Sequence, residues 1–240
     1  MEAPEKSAYV RNMFSSIAPR YDFLNKLLSA GRDKSWRKAA AAELPLEKGG
    51  SFLDVATGTG DIAICLIHGA PRADVRVVGV DFSEGMLELG REKVRKNGLE
   101  DRIELRLGDA TALPFEDGLF QGAIVAFGLR NFSDIEKGLK EMLRVVVPGG
   151  RVVILEFMNP ENPLFRRLYY FYFRNVLPFL GGIISGNRDA YQYLPDSVLD
   201  FPAPAKLKAI MEKCGMQKVR HKLLTFGIVA LHVGEKPLRS

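Results

Sequence analysis

An apolar strand that runs straight into a glycine turn constrains this chain more than any other feature. Residues 51–56 have the composition of a buried strand, and a helical pattern begins near Asp61. Between them, Gly58 and Gly60 allow a sharp turn and a close approach to a ligand, because neither carries a Cβ atom. The N–H groups of such a turn, together with the helix N-terminus, form a ligand site at the carboxyl edge of a parallel sheet.

Acidic residues at three successive strand ends indicate which ligand this turn binds. Asp54 stands beside the turn, where a carboxylate repels a phosphate but attracts an ammonium group. Asp81 and Asp109 follow the next two strand-like runs, so the series suits an amino group, a ribose and an adenine. Residues 58–63 also fit the loose dinucleotide fingerprint, with an acid about 20 residues further on. We predict S-adenosylmethionine in preference to NAD because three acids follow three strands.

Composition is that of one globular domain. The 240 residues are 47% hydrophobic and 26% charged. The net charge of +5 (pI about 9.2) is spread along the chain, so it does not imply nucleic acid, and attraction to an anionic membrane surface fits equally well. The first 13 residues are polar and charged, which predicts an intracellular protein without a signal peptide. Cys65 and Cys214 form no CxxC pair, and the three histidines lack metal-ligand spacing, so we expect no metal.

Short apolar runs alternate with helical patterns through the centre of the chain, which predicts an α/β fold with a doubly wound parallel sheet. Ser83 suits a helix N-cap, and the run 148–150 (PGG) is expected to stop the third helix. A final helix and a hairpin predict an antiparallel C-terminal strand, as in a Rossmann-like class I methyltransferase with seven strands. The predicted strands are 52–56, 75–80, 103–107, 120–127, 151–157, 217–223 and 228–235, and the predicted helices are 62–69, 84–97, 134–146 and 203–214.

Two segments lie outside this alternation within the single predicted domain, 1–240. Residues 7–45 are expected to form an N-terminal helical cap, and residues 158–200 an inserted lid over the substrate crevice. Residues 164–184 are the most aromatic stretch, yet three arginines and a Pro-Gly interruption make a membrane-spanning helix unsuitable. A helix packed on the core and a lid that touches a membrane surface both fit this stretch.

Several motifs closely resemble the demethylmenaquinone and ubiquinone-pathway C-methyltransferases, over about residues 9–236. The runs FGLRN and YQYLP are the most specific to that family, whereas the glycine turn is shared with many methyltransferases. The matching motifs are residues 14–22 (FSSIAPRYD), 36–37 (WR), 53–61 (LDVATGTGD), 113–115 (LPF), 127–131 (FGLRN), 148–157 (PGGRVVILEF) and 191–197 (YQYLPDS).

The resemblance implies methylation of a ring carbon of a polyprenylated quinol, on a naphthoquinol head, a benzoquinol head or both. It also implies transient contact with the inner face of a membrane; a homodimer is compatible with the sequence, and no nucleic-acid partner is expected. Family cofactor contacts map onto Thr59, Asp81, Asp109 and Ala110. The full set of predicted cofactor-binding residues is therefore Asp54, Gly58, Thr59, Gly60, Asp81, Asp109 and Ala110.

Three residues are the predicted catalytic set. Arg130 follows the fourth strand and is expected to stabilise a phenolate, with a structural ion pair as its alternative role. Tyr21 and Asp22 are expected to close the pocket, with helix packing and capping as the alternative. Tyr191, Tyr193 and His221 are weaker candidates.

The chain departs from the family at a few positions beside the site. Family members often carry Gly where Ala56 or Thr57 stands, and some carry Ser where Ala126 stands. Because alanine has no side-chain donor, the contact of that serine is expected to be absent. We expect neither of these sequence differences to involve the three acidic residues of the predicted site.

Other function classes remain as alternatives at this point. A methyltransferase for another small aromatic or lipid acceptor shares the cofactor turn but lacks the family-specific runs. An NAD-dependent oxidoreductase would bind NADH and not S-adenosylmethionine. A binding module that retains the fold would show no turnover. A nucleic-acid amino-methylase usually has an Asn/Asp-Pro-Pro-Tyr/Phe run after the fourth strand, and this chain has none there.

Overall fold

Seven strands form one mixed sheet in the computed structural model, which describes residues 29, 31–160, 167 and 197–238. The strands are β1 (Gly50–Val55), β2 (Val75–Asp81), β3 (Ile103–Leu107), β4 (Phe120–Ala126), β5 (Val146–Phe157), β6 (Gln217–Leu224) and β7 (Val229–Glu235). Their order across the sheet is β3-β2-β1-β4-β5-β7-β6. Strands β1 to β5 are parallel, and β7 runs antiparallel to both β5 and β6. The predicted mostly parallel α/β fold with an antiparallel C-terminal strand is confirmed.

Helices cover both faces of this sheet. They are α1 (Asp33–Ala41), α2 (Asp61–Gly69), α3 (Glu84–Lys96), α4 (Ile135–Val145) and α5 (Pro204–Lys213). Ser83 occupies the N-cap position of α3, as predicted, although its side chain makes no capping hydrogen bond to the helix. The Asp134 side chain does cap α4, because it accepts the Lys137 N–H at 2.9 Å.

The core has two layers because both faces of a parallel sheet are buried. Successive residues of β1 face opposite layers: Phe52 packs with α1, α2 and α3, and Leu53 packs with α4 and α5. Both side chains are fully buried. Asp54 shares the Phe52 side by the same alternation, which places its carboxylate against α2.

The prediction that PGG ends the helix 134–146 is wrong, because PGG does not lie at the end of that helix, α4. Helix α4 ends at Val145, where the chain becomes extended at Val146, and PGG lies inside β5. Phe120 pairs with Val146 and Gly122 with Arg151, so residues 147–150 form an irregularity opposite Gln121. The β-branched run 145–147 favours a strand, and PGG then supplies the bulge.

Most of the predicted cap and lid lies outside the described residues. Of the cap 7–45, the structure describes α1 and the residues around it; of the lid 158–200, only 158–160, 167 and 197–200. No helix in the described part of the chain combines the length and the apolar character needed to cross a membrane.

Candidate active site

The predicted glycine turn is confirmed at the carboxyl end of β1. Gly58 and Gly60 have φ values of 56° and 78°, and Gly60 is the left-handed N-cap residue of α2. Thr57 N–H donates to the Val80 carbonyl at 3.0 Å, which ties the turn to β2. Ala56 also adopts a left-handed φ of 53°, a conformation that glycine adopts more readily than alanine.

Asp54 is a buried acid, and one of its carboxylate oxygens lacks a hydrogen-bond partner among the described residues. Its Oδ2 accepts the Thr57 hydroxyl at 2.6 Å and the Ala63 N–H at 3.2 Å, whereas its Oδ1 accepts no hydrogen bond within the described residues. Burial raises the pKa of Asp54 to about 7, and the Asp81 carboxylate adds to the increase. The expectation that the family departures leave the acids untouched is wrong at Thr57, because its hydroxyl contacts Asp54.

Asp81 links the turn to the end of β2. Its two oxygens accept the Gly58 N–H and the Ser83 N–H, each at 2.9 Å. Burial raises the pKa of Asp81 to about 6 although backbone hydrogen bonds oppose the increase. A carboxylate has about four lone-pair sites, so these two bonds leave capacity for a ribose hydroxyl.

Asp109 follows β3 and completes the series of acids along this edge. Its Oδ1 accepts the Thr111 N–H at 2.8 Å and the Thr111 hydroxyl at 2.9 Å, and the side chain is exposed. Ala110 beside it is half-buried. The structure thus brings the three predicted acids to the carboxyl ends of neighbouring strands, while their role in cofactor binding stays a prediction.

A chain of charges that sequence reasoning missed supports Thr59 in the turn. Lys93 Nζ donates to Thr59 Oγ1 at 2.8 Å and to Asp61 Oδ1 at 2.7 Å. Arg37 joins Asp61 Oδ2 at 3.1 Å and Asp33 Oδ2 at 2.6 Å. Asp33, Arg37, Asp61 and Lys93 line a cavity of about 850 Å³ between α1 and α2, together with the half-buried Cys65. The i,i+4 pair of Asp33 and Arg37 is a local pattern of α1, but no local pattern links α1 to Asp61 on α2 or to Lys93 on α3.

The charges of this arrangement suit S-adenosylmethionine. A buried carboxylate that has an open oxygen and a raised pKa favours a cation, and an ammonium group supplies one. The left-handed glycines bring backbone close to the ligand edge. A dinucleotide pyrophosphate would place negative charge next to Asp54, which opposes binding.

Arg130 follows β4 in the short 3₁₀ helix Leu129–Asn131 and forms a buried ion pair with Glu156 of β5. Its Nη1 donates to Glu156 Oε1 at 2.5 Å and to the Phe127 carbonyl at 2.6 Å, and its guanidinium lies 5.7 Å from the centre of the Phe157 ring. Glu156 also accepts the N–H groups of Arg130 and Phe157. The described contacts therefore include the structural ion pair, and a catalytic role for Arg130 stays a prediction.

Aromatic rings form a wall next to this pair. Phe127 and Phe157 lie 4.6 Å apart between ring centres, and Trp36 lies about 6 Å from each, at 6.2 and 6.1 Å. The wall adjoins the cofactor turn, because a Cβ atom on Gly128 would come within 2.5 Å of the Ala56 Cβ atom. The site therefore places an apolar aromatic surface beside the acids.

Other site predictions have mixed outcomes. Tyr21 and Asp22, like Tyr191 and Tyr193, lie outside the described residues. His221 is exposed and stacks on His232, with 5.2 Å between ring centres. Glu156 was missed as a site residue, although a charged residue at the end of the apolar run 152–155 was a usable signal. Within the described residues, no group of three or more His, Cys, Asp or Glu side chains could hold a metal ion.

Known proteins similar to this chain show the family to which it belongs. The model of the ubiE/COQ5 methyltransferase family matches residues 2–236. A demethylmenaquinone methyltransferase from Thermus thermophilus is 54% identical over 94% of this chain and 100% of its own length. The ubiquinone/menaquinone biosynthesis C-methyltransferase UbiE from Geobacter sulfurreducens is 50% identical over 98% of this chain and 91% of its own.

A solved structure supports the fold. A SAM-dependent methyltransferase from Thermotoga maritima aligns with a TM-score of 0.66 and 20% identity, over 94% of this chain and 99% of that protein. This similarity confirms the predicted class I architecture, and the family match confirms the resemblance. The chain belongs to the ubiE/COQ5 methyltransferase family and is an S-adenosylmethionine-dependent methyltransferase.

Proposed function

We propose that this methyltransferase acts on a ring carbon of a polyprenylated quinol, with a demethylmenaquinol as its acceptor. Family membership over nearly the whole chain carries the proposal, and relatives named for quinone biosynthesis support it. A benzoquinol head is the second candidate acceptor, because the Geobacter relative is named for both quinone pathways. We expect the protein to be cytoplasmic and to visit a membrane surface, where such acceptors are dissolved.

The chemistry requires alignment and an electron-rich ring. When bound, S-adenosylmethionine supplies an activated methyl group. The turn and the acids would hold it, and the wall of Trp36, Phe127 and Phe157 would orient a flat quinol ring and exclude water. Such alignment can supply roughly 7–11 kcal/mol in favourable cases.

Arg130 is proposed to make the ring carbon nucleophilic. Its positive charge lowers the pKa of a nearby quinol hydroxyl, and the ionised oxygen pushes electron density onto the ring. The ring proton passes to water after the new carbon–carbon bond forms, which restores the aromatic ring. Glu156 and the Phe127 carbonyl fix the guanidinium, so Glu156 acts as a positioning residue. Tyr21 and Asp22 are proposed to close the pocket.

The test follows label from methyl-labelled S-adenosylmethionine into the ring of a reduced demethylmenaquinol, with the oxidised quinone as a control that accepts none. Arg130→Lys keeps the charge but not the planar fork, and Arg130→Ala removes both. We expect kcat to fall about tenfold to a thousandfold for Arg130→Ala, since a positioned charge contributes on this scale.

The pH profile separates catalysis from folding. In Arg130→Ala, the pH at which kcat reaches half its maximum should rise, because the hydroxyl loses its stabilising charge. An unchanged profile, with losses only in thermal stability, would mean that Arg130 serves the fold alone. Binding of NADH in place of S-adenosylmethionine would contradict the assignment of the turn.

A further inference from the structure

Large apolar side chains that are exposed in the described residues divide between the two ends of the sheet. Phe226 and Leu223 lie at the carboxyl end, in or next to the turn between β6 and β7, with exposed fractions of 83% and 44%. Leu107 lies at the same end, whereas Leu119 and Leu238 lie at the amino end. Among the residues that the structure describes, the end that holds the cofactor turn therefore also carries the most exposed aromatic side chain.

The backbone of this turn holds Phe226 outward. Thr225, Phe226 and Gly227 have consecutive left-handed φ values of 47°, 56° and 86°, which are costly for threonine and phenylalanine. The Ile228 N–H donates to the Thr225 carbonyl at 3.1 Å, and Trp36 Nε1 donates to Thr225 Oγ1 at 2.8 Å. A strained turn fixed at both sides displays the ring in a defined direction.

Basic side chains accompany this apolar tip along the edge strand β6. Arg220 and Lys222 precede the tip and are exposed, and His221 lies between them. Arg220 pairs with Glu43, whose pKa is lowered first by the hydrogen bond from Arg220 and, more weakly, by the charge of Lys222. Cations on an edge strand discourage pairing with another strand, which argues against a protein strand as the occupant. Lys222, an exposed cation next to the apolar tip, is complementary to an anionic bilayer.

The tip is connected to the proposed acceptor site. Trp36 donates a hydrogen bond to the Thr225 hydroxyl. The Trp36 ring packs on Phe127 and Phe157, and Phe157 lies beside Arg130. A membrane contact at this end of the sheet turns the site towards the phase in which a polyprenyl chain is dissolved. A contact at the amino end would turn the site away from it.

We propose that Phe226 and Leu223 insert into the interfacial layer of an anionic bilayer, with Lys222 among the headgroups. This inference rests on the proposed function, because it assumes an acceptor held in the membrane. It assigns the β6–β7 hairpin tip as the surface that presents the site to its acceptor.

The first experiment measures partition of the full chain onto vesicles that contain phosphatidylglycerol and onto vesicles of phosphatidylcholine alone. Phe226→Asp should lower partition onto the anionic vesicles about tenfold or more, the scale expected for losing one buried aromatic ring. Lys222→Gln should weaken binding to the anionic vesicles only. Leu119→Asp, at the opposite end of the sheet, is the matched control and should partition like the unaltered chain.

The second experiment compares turnover of a short-chain quinol in solution with that of a long-chain quinol in vesicles. Phe226→Asp should keep the first rate and lose most of the second. If the unaltered chain methylates neither quinol, the proposed function fails, and vesicle partition still tests the tip. The inference is overturned if Phe226→Asp partitions normally, changes the oligomeric state, or slows both quinols equally.

Discussion

At the scale of single residues, Asp54 carries the most information about the ligand. Its side chain is fully buried and its Oδ1 accepts no hydrogen bond within the described residues, an arrangement that costs free energy unless a donor or a cation arrives. Asp81 lies close enough for its charge to raise the pKa of Asp54 further. Two buried acids with raised pKa values favour a positively charged ligand more strongly than either would alone.

These acids predict that S-adenosylmethionine binds more tightly as the pH rises. With a pKa of about 7, Asp54 is largely protonated at pH 6 and largely ionised at pH 8, and only the ionised form attracts a cation. The dissociation constant should therefore fall about tenfold between pH 6 and pH 8. Asp81, with a pKa of about 6, extends the effect to lower pH. Calorimetric titration across this range measures the change.

Asp54→Asn is the control, because it keeps the shape and cannot ionise. The cofactor has its own titrating amino group, so the quantity to compare is the difference between the two proteins. The variant should bind more weakly at pH 8 and lose most of the pH dependence near pH 7. Equal pH dependence in both proteins would assign the titration to the ligand and not to Asp54.

At the scale of secondary-structure elements, the Lys93 side chain joins α3 to the cofactor turn and to α2. Lys93→Met keeps the length of the side chain and removes its hydrogen bonds to Thr59 and Asp61. We expect weaker S-adenosylmethionine binding, by about fivefold to tenfold, and a loss of about 1 kcal/mol in the free energy of unfolding, since the pair is partly buried. Titration and chemical denaturation measure these quantities.

Lys96→Met is the matched control on the same helix. Lys96 pairs with Glu92 at 3.8 Å on an exposed surface, so its loss should change stability by less than about 0.5 kcal/mol and leave binding unchanged. If Lys93→Met and Lys96→Met behave alike, the chain of charges has no part in positioning Thr59.

Sequence patterns predicted the elements better than the contacts between them. Apolar runs and glycines placed β1, the turn and α2 correctly, because strand periodicity and left-handed turns are written in neighbouring residues. The run PGG was expected to end a helix, but it lies inside β5, since the β-branched residues before it already favour a strand. The pairs Arg130–Glu156 and Lys93–Asp61 join residues 26 and 32 positions apart, so no local pattern could specify them.

At the scale of the whole molecule, β7 connects the C-terminal hairpin to the rest of the fold. His232 on β7 is fully buried, and its Nε2 lies 3.0 Å from the Pro204 carbonyl at the start of α5. A carbonyl only accepts hydrogen bonds, so Nε2 carries the proton and the neutral ring joins β7 to α5. His221 stacks on the same ring from β6. One imidazole therefore contributes to the packing of three elements.

This histidine predicts loss of stability in mild acid. Burial lowers the pKa of His232 from 6.5 to about 4, so the unfolded chain takes up a proton below pH 6.5 that the folded chain refuses until about pH 4. The free energy of unfolding should fall progressively through this window, by about 3 kcal/mol in total. His232→Gln cannot be protonated and should lack this component, whereas His221→Gln, its exposed neighbour, should keep most of it, because burial is the largest cause of the lowered pKa and the charge of His221 a smaller one. Urea denaturation of the three proteins between pH 7 and pH 4 separates this component from the titration of carboxylates. If all three lose stability in parallel, His232 is not the group that couples acid to unfolding.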